Sequence, residues 1–462
     1  MNSHAVSMSK LLVCGVLFSG LAFGGELRPF ELRLPAHVRA LPEGSDQPGN
    51  RPAFKFRGIK GWAWSPEQYL AEIPVMAAYR MNFLMNCYSS LWELGEHGKW
   101  VTDRPMNFWY KPLTEEKKRS FEEVVRACRR NGIQFCFSMN PNLKSDRPFD
   151  YKNPRDFDAL WQHYAWMQGL GVKWFNIALD DIGTQIDAEG QARVLNEILR
   201  RLRARDPGAQ LIFCPTWYAG TGDAGRETHA TLGAGDTPGV RYIRTLARKL
   251  DPDIYLFWTG PEVRPLAIRR SDAEKFRALA QHRLFVWDNY PNNNQTPTLD
   301  LGPLTGRDPQ LGEVVDGYIS NPMGFENEAN RIPLLTIADY TWNPRAYDPE
   351  RSIGQAIVHL GSTAEQRVAL RDLVELYPGR LWDGSTRGDW NSLRVRFRQA
   401  MDAGRKAEAA ALLLRAEETS RRLAKAFPRE FVPARNVLDA DIQAMRASQQ
   451  HASNSHPEGS RQ

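Results

Sequence analysis

Short apolar runs alternate with longer amphipathic stretches through most of this chain. The runs are rich in branched and aromatic residues and are bounded by Gly, Pro or Asn, a pattern that predicts buried β-strands. The stretches between them have helical spacing. The predicted strands are 54–59, 82–88, 133–138, 172–179, 210–215, 253–258, 283–287 and 317–319.

Capping signals place the helices that separate these strands. Ser65-Pro66-Glu67-Gln68 combines an N-cap, a first-turn proline and the Gln of a capping box, and Ser271-Asp272-Ala273-Glu274 is predicted to be a second box. A further helix is predicted over residues 188–205, before Asp206-Pro207-Gly208. Strands that alternate with helices across 55–345 predict an α/β protein with a closed (β/α)8 TIM barrel.

The composition changes after Pro344. Residues 346–450 are rich in Ala, Leu, Arg and Glu, and their helical spacing over 353–377 and 391–447 predicts a C-terminal α-helical domain. Interruptions are expected near Pro378 and Pro428. The polar residues 451–462 are predicted to be a disordered tail.

The N-terminus has the pattern of a secretory signal. Lys10 precedes a short apolar run that ends at Gly24-Gly25, so residues 1–24 are predicted to be a signal peptide and 25–54 an extended lead-in. The run is too short to favour a membrane span, and no other stretch is longer. We therefore expect a periplasmic or secreted protein.

Charge and cysteine content narrow the possible partners. The net charge of +6 is spread along the chain, and its densest basic run, 200–205, has the spacing of a solvated helix face, so no nucleic-acid partner is expected. Scattered His residues and the absence of a phosphate-cradling glycine motif predict neither a metal nor an organic cofactor. The four cysteines that follow the predicted signal peptide lack metal-ligand spacing, and the sequence does not decide whether they form disulfides: Cys87, Cys128, Cys136 and Cys214.

The candidate chemistry lies at the strand that runs from Val172 to the adjacent acids Asp180 and Asp181. Active sites of such barrels form at the C-terminal ends of the strands. Neighbouring strand residues point to opposite faces, so both acids can meet one substrate only if the backbone turns, which Ile182-Gly183 permits. The alternative is one helix-capping acid and one solvated acid.

Other predicted strands also end in residues suited to a polar, ring-shaped ligand. The 14 Trp residues suit sugar stacking, although they equally suit a large core. A long Gly/Thr-rich loop over 218–238 is a candidate substrate loop. The strand-end motifs are Gly61-Trp62-Ala63-Trp64, Pro215-Thr216-Trp217-Tyr218, Trp258-Thr259-Gly260-Pro261, Trp287-Asp288-Asn289-Tyr290-Pro291 and Ser320-Asn321-Pro322-Met323.

With Asp180-Asp181, Val263 and the run Ala338 to Pro344, these motifs resemble glycoside hydrolase family 84, the retaining β-N-acetylglucosaminidases that include O-GlcNAcases. The resemblance covers roughly residues 55–345. It implies substrate-assisted hydrolysis of 2-acetamido-2-deoxy-β-glycosides through an oxazoline, without a cofactor. An N-acetylated glycan or glycoconjugate is the implied substrate.

The resemblance also implies roles for individual residues. Asp180 would accept a hydrogen bond from the acetamide N–H, and Asp181 would act as general acid and then as general base. Tyr218 would donate a hydrogen bond to the attacking oxygen. A neighbouring carboxylate is expected to keep the general acid protonated. The remaining implied substrate-binding residues are Gly61, Thr259, Val263, Trp287, Asn289, Asn294 and Asn321.

Two departures from the family pattern affect the expected specificity. Asn292-Asn293-Asn294 stands where the family has an Asp that binds distal sugar hydroxyls, and a family Lys is missing near Ser89-Ser90. Losing such a charge-assisted contact costs about 1.5–3 kcal/mol. Weaker affinity or altered specificity at the 4- and 6-hydroxyls is expected.

Two other functions stay open at this stage. One is a catalytically weak or inactive glycan-binding protein on the same fold. The other is a two-carboxylate glycosidase for sugars without the acetamide, with Glu262 or Glu326 as the second acid.

Overall fold

The structure is a computed structural model of the 462-residue chain, and it describes residues 34, 52–96, 99–293, 298–324, 327–379 and 393–454. The predicted signal peptide, nearly all of the predicted lead-in, Asn294 and Glu326 lie outside the described residues.

Eight parallel strands form a closed barrel in which each strand pairs with the next along the chain and the last pairs with the first. The (β/α)8 prediction is confirmed. The strands are β1 Phe56–Gly61, β2 Phe83–Asn86, β3 Gln134–Met139, β4 Trp174–Ala178, β5 Gln210–Cys214, β6 Tyr255–Trp258, β7 Leu284–Pro291 and β8 Gly317–Asn321.

Helices follow the strands in the predicted alternation except after β7, where the described residues hold only the short 3-10 helix Leu311–Glu313 before β8. Ser65 and Gln68 form the predicted capping box, and the helix predicted over 188–205 spans the same residues. The barrel helices are α1 Pro66–Ala78, α2 Glu115–Arg130, α3 Pro154–Gly169, α4 Ala188–Arg205, α5 Pro238–Lys249, α6 Arg270–Ala280 and α7 Arg331–Trp342.

The predicted second capping box is wrong in its register. Helix α6 begins at Arg270, so Ser271 lies inside the helix rather than at its cap. The side chain of Asp272 accepts the backbone N–H of Arg269 at 3.2 Å, while Asp308 Oδ2 accepts that of Arg270 at 3.0 Å. A side chain from the loop before β8 therefore helps to fix the start of this helix, which local sequence does not reveal.

The barrel interior changes from apolar to polar along the strands. At the N-terminal end, Phe56 packs against Trp174 and Phe285 with ring centroids 4.6 and 5.4 Å apart. Nearer the C-terminal ends lies a buried row of polar groups, in which Ser138 Oγ donates to Asn176 Oδ1 at 2.6 Å and Asn86 Nδ2 donates to Ser138 O at 3.0 Å. The aromatic layer closes one end, so polar chemistry is confined to the other.

A buried ion pair joins β7 to the loop before β8. Arg307 bonds Asp288 through Nε and Nη2 at 2.9 and 2.7 Å, and the Tyr318 hydroxyl also donates to Asp288. Arg307 and Asp288 are both almost fully buried. Asp288 lies between Trp287 and Asn289, so this pair helps to fix the backbone that presents both neighbouring side chains.

The C-terminal region is helical, as predicted, but it has more breaks than the sequence indicates. Thr363 and Gln366 form a capping box within the predicted stretch 353–377, and Gly404, with φ of +70°, lies between two helices of the predicted stretch 391–447. The last helix continues past His451, where the disordered tail was predicted to start. The helices are α8 Pro349–Leu360, α9 Ala364–Leu376, α10 Leu393–Asp402, α11 Lys406–Ala426 and α12 Val432–Asn454.

The four described cysteines are buried free thiols, which resolves the open question of disulfides between them. Within the described ranges, no helix is both long and apolar enough to cross a membrane.

Replacing Arg307 with Met is expected to destabilise the protein strongly, because it leaves the Asp288 carboxylate buried without its cation. Breaking a buried pair in this way costs about 3–5 kcal/mol. Urea unfolding would measure the loss. Arg241→Met, which removes an exposed pair with Asp236, is the control and should change stability by no more than about 1 kcal/mol. Equal small losses in both variants would contradict the importance of the buried pair.

Candidate active site

The two adjacent acids follow β4 at a sharp backbone turn. Asp181 has φ of +56°, in the left-handed region that Asp adopts more readily than most residues. The turn therefore lies at Asp181 itself and not at Ile182-Gly183, where the sequence suggested it. This reversal interrupts the alternation of a strand, and the two carboxyl groups interact electrostatically.

Asp180 is the more deeply placed of the pair, with 5% of its surface exposed. The Tyr88 hydroxyl donates to its Oδ2 at 2.7 Å, and Asn140 Nδ2 donates to its Oδ1 at 3.4 Å and to its backbone oxygen at 3.3 Å. Tyr88 follows β2 and Asn140 follows β3, so two neighbouring strand ends hold one carboxyl group in place.

Asp181 faces a more open environment, with 39% of its side chain exposed. Its Oδ1 accepts the hydroxyl of Tyr218 at 2.8 Å and lies 3.7 Å from Nε2 of the exposed His229. Both partners come from the loop over 218–238 that the sequence marks as a candidate substrate loop. The less buried acid is therefore the one that an approaching group reaches more easily.

The electrostatic surroundings of Asp180 and Asp181 differ. Burial, followed by the neighbouring Asp181 carboxylate, raises the pKa of Asp180 to about 6, while Lys60 and the Tyr88 hydroxyl lower it. The resemblance led us to expect the raised pKa on the general acid, Asp181. The structure places a raised pKa on Asp180 because this side chain is the one removed from water.

Asn289 forms hydrogen bonds with three other predicted substrate-binding residues. Its Oδ1 accepts from Trp287 Nε1 at 3.0 Å and from Asn321 Nδ2 at 2.9 Å. Its Nδ2 donates to the backbone oxygen of Val263 at 2.7 Å. The ends of β7 and β8 and the loop after β6 therefore meet at one side chain.

The other predicted site residues lie at neighbouring strand ends. The backbone N–H of Thr259 donates to the carbonyl of Tyr218 at 3.0 Å, which links the ends of β5 and β6. The carbonyl of Gly61 accepts the Tyr69 hydroxyl at 3.0 Å, and a Cβ on Gly61 would lie 2.4 Å from the Trp64 ring. Glycine is therefore required here by packing, whatever it contacts in a ligand. Asn294 cannot be placed, because it lies outside the described residues.

The two alternative second acids, Glu262 and Glu326, make no described side-chain contact with the Asp pair among the residues that the structure describes. Glu262 is exposed, and its backbone oxygen accepts the Thr259 hydroxyl at 3.0 Å. Glu326 lies outside the described residues. Among the described residues there is also no group of three His, Cys, Asp or Glu side chains that fits a metal ion.

Sequence reasoning missed four residues around the acids: Lys60, Tyr88, Asn140 and His229. Tyr88 is the last residue of one predicted strand and Asn140 lies two residues beyond another, so the strand-end rule that selected the other motifs applies to them as well. Lys60 directly follows the predicted first strand, so the same rule applies to it. His229 carries no local signal, because only the path of a long loop brings it to Asp181.

A cavity of about 230 Å³ borders the Asp180 side of this site. Tyr88 and Asn140, which both bond Asp180, belong to its wall together with Trp92, Met106 and Trp109. Aromatic surface therefore continues from the acid pair toward α2.

A family model described as beta-N-acetylglucosaminidase matches residues 102–375, well over half of the chain. The chain belongs to this family. The match includes the Asp pair, Tyr218, Thr259, Trp287, Asn289 and Asn321, and it confirms the resemblance to glycoside hydrolase family 84 that the motifs indicated.

Curated relatives agree with this membership. The chain is 27% identical over 246 residues to the Protein O-GlcNAcase of Rattus norvegicus and to that of Mus musculus, a match that covers 51% of this chain and 25% of each relative. The chain therefore spans about a quarter of the length of these relatives.

Two solved structures share the fold. A mutant O-GlcNAc hydrolase from Thermobaculum terrenum superposes with a TM-score of 0.65 at 24% identity, over 85% of this chain and 83% of its own. A protein named CpGH84B superposes with a TM-score of 0.63 at 24% identity, over 87% and 71%.

Replacing Asp180 with Asn is expected to stabilise the protein at pH 8. The pKa of Asp180 is raised from 3.8 to about 6 in the folded state, so the ionised side chain costs stability above pH 6 and costs nothing below about pH 3.8. The shift corresponds to roughly 3 kcal/mol at most. Melting temperatures at pH 8 and pH 4 would measure the gain.

Asp146→Asn is the matched control, because Asp146 also accepts a tyrosine hydroxyl, that of Tyr110, but at an exposed position. It should leave the melting temperature nearly unchanged. A loss of stability in Asp180→Asn at pH 8, or an equal gain at both pH values, would contradict the assigned electrostatics.

Proposed function

We propose that this protein is an exported retaining β-N-acetylhexosaminidase that hydrolyses 2-acetamido-2-deoxy-β-glycosides by substrate-assisted catalysis through an oxazoline. The observation that carries the proposal is the left-handed turn at Asp181, which joins two electrostatically coupled carboxyl groups beside a tyrosine hydroxyl. Family membership supports the reaction class, and the positions of these groups support the roles proposed for them below.

In the first proposed step the acetamido oxygen of the substrate attacks its own anomeric carbon. The glycosidic bond breaks, and Asp181 gives its proton to the departing oxygen, so that an alcohol leaves. Asp180 accepts the acetamide N–H and favours the positive charge that develops on nitrogen. The product of this step is an oxazolinium ion whose nitrogen keeps its proton in the hydrogen bond to Asp180. In the second step Asp181 takes a proton from water, the water oxygen bonds to the anomeric carbon, and the bond from that carbon to the former acetamido oxygen breaks, which restores the neutral acetamide.

The ligand itself reverses the proton distribution in this scheme. An amide N–H donated to Asp180 stabilises the ionised form of that carboxyl group and lowers its pKa. With Asp180 ionised, Asp181 is the member of the pair that carries the proton in this scheme. Tyr218 donates its hydroxyl hydrogen to Asp181 at 2.8 Å, and we propose that it redirects this hydrogen bond to the attacking oxygen when substrate binds.

Specificity at the far side of the sugar is proposed to be altered. Asn294 replaces the family carboxylate, which removes a charge-assisted contact to the 4- and 6-hydroxyls. Asn293, beside it, donates to the carbonyl of Thr298 at 3.0 Å. We therefore expect weak discrimination between substrates that differ at C4.

One observation favours the second candidate, a glycan-binding protein without turnover. The Lys60 ammonium lies 3.4 Å from the centre of the Trp287 ring, the ring that the resemblance assigns to the acetamide pocket. A buried cation behind this ring disfavours the positive charge that turnover would develop on the acetamide nitrogen, while binding of the neutral sugar is not opposed in this way. Binding of an N-acetylated sugar by calorimetry, without hydrolysis, is the result that would favour this candidate.

Replacing Asp181 with Asn should suppress release of 4-nitrophenol from the β-N-acetylglucosaminide and from the galactosaminide, because the general acid is lost. We expect kcat to fall by about 10²–10⁴-fold. Wild type should cleave both epimers with similar kcat/KM, and a thiazoline analogue of the oxazoline should inhibit. Glu262→Gln is the control, because this exposed acid takes no part in the scheme. No release from any 2-acetamido glycoside by wild type would reject the proposed activity.

Export is expected to remove the first 24 residues or so. Mass spectrometry of the protein recovered from a native host would locate its N-terminus. A cytoplasmic protein that retains the apolar run from Leu11 to Phe23 would refute export and leave the hydrolase proposal unaffected.

A further inference from the structure

The Lys60 side chain is fully buried at the mouth of the barrel. Its ammonium lies against three aromatic rings, at 3.4 Å from the centre of Trp287, 4.9 Å from that of Tyr88 and 5.0 Å from that of Trp62. Its Nζ finds no hydrogen-bond acceptor among the residues that the structure describes. Ring faces attract a cation, but they do not replace three hydrogen bonds.

A buried ammonium in such surroundings is costly unless a negative charge lies nearby. The nearby acids are Asp180 and Asp181, and Lys60 acts directly on the charge of Asp180. Tyr88 connects the two groups, because its ring contacts the ammonium while its hydroxyl donates to Asp180 Oδ2 at 2.7 Å. One buried cation, the Lys60 ammonium, therefore lies close to the carboxyl groups of Asp180 and Asp181.

We propose that Lys60 is a positioning residue whose ammonium provides the counter-charge that allows Asp180 to be ionised in its buried place. This proposal rests on the proposed function, because the ionised form of Asp180 is the one that accepts the acetamide N–H there. Lys60 touches neither the substrate nor the reacting atoms in this account. It acts through Asp180.

Other titratable groups face the same carboxyl group without competing for this role. Tyr88 from the end of β2, Tyr218 from the loop after β5 and Cys214 from β5 are buried, and burial raises the pKa of each well above its ordinary value. They are therefore neutral near pH 7. Asp181 adds negative charge, and His229 lies on the exposed side, at Asp181.

The electrostatic balance at Asp180 supports the proposal. Burial and Asp181 raise its pKa, and of the groups that lower it Lys60 has the largest effect. An opposite charge at short range lowers a carboxyl pKa by about 1–3 units. Without Lys60, Asp180 should hold its proton through the neutral range.

A double-mutant cycle on thermal stability tests this interaction without using activity. The four proteins are wild type, Lys60→Met, Asp180→Asn and the double variant, melted at pH 8 and at pH 5. At pH 8, Lys60→Met should lower the melting temperature more in the Asp180 background than in the Asp180→Asn background. This difference should shrink at pH 5, where Asp180 is protonated. Lys60→Gln replaces Lys60→Met if the latter does not fold.

The pH dependence of kcat/KM on the 4-nitrophenyl substrate is the second readout. Wild type should lose activity toward acid with a midpoint near pH 6, the pKa of Asp180. Lys60→Met should move that midpoint up by about one unit or more, with a loss of about fivefold or more at pH 6 and recovery toward pH 9. Lys60→Arg should keep the wild-type midpoint, because the positive charge remains.

Lys117→Met is the matched control. Lys117 is a partly buried lysine near this site, whereas Lys60 is fully buried. The Lys117 ammonium donates to the carbonyls of Leu91 and Trp92 at 2.8 and 3.0 Å rather than facing the acid pair. Its replacement should leave the acid midpoint where it is. A merely structural role for Lys60 would lower activity equally at every pH.

The possible outcomes separate this proposal from the proposed function. Additive melting temperatures at pH 8, or an active Lys60→Met with an unchanged acid midpoint, would overturn the role of Lys60. Wild type that releases no product at any pH, with the thermal coupling intact, would overturn the hydrolase and leave the Lys60–Asp180 interaction standing.

Discussion

The burial of one carboxyl group beside another is the constraint around which this site is built. A lone carboxylate in a low-dielectric place is unfavourable, and a second negative charge next to it increases the cost. Asp180 meets this constraint with donors from two neighbouring strand ends, Tyr88 and Asn140, and with a cation from a third. Asp181 avoids it by turning out of the strand toward solvent. Burial, the neighbouring carboxylate, the donors and the cation thus set the pKa of Asp180, while the backbone turn leaves Asp181 more exposed.

The barrel makes this arrangement possible because it is rigid beneath the site. The aromatic layer around Phe56 fixes the spacing of the strands, and the polar row of Asn86, Ser138 and Asn176 bonds β2, β3 and β4 to one another just below the acids. Opposite them, the Asp288–Arg307 pair holds β7. Side chains on such a base keep their positions to within the small tolerances that proton transfer requires.

Sequence patterns predicted the barrel well because the signals for it are local. Apolar runs, caps and glycines lie within a few residues of the element that they define, as with helix α4. The errors arise where distant residues decide. Asp308 helps to set the start of α6 from across a loop, and the left-handed turn at Asp181 depends on tertiary contacts rather than on Gly183. The orientation of Lys60 into the barrel follows from strand register, which the sequence alone did not fix.

The position of Lys60 also gives a reason for one departure from the family pattern, the missing lysine near Ser89 and Ser90. Ser89 and Ser90, near the position of the missing family lysine, are buried and committed to internal contacts, with Cys87 Sγ and the Tyr69 hydroxyl at 3.0 Å each. A positive charge there would have to leave these bonds unmade. Lys60 brings its charge from β1 instead, beneath the aromatic rings and out of reach of a sugar hydroxyl. Under the role proposed for Lys60, a cation in that place acts on the carboxyl groups rather than on the ligand, so the electrostatics of the acid pair would be separate from the recognition of the distal hydroxyls, and one could change without the other.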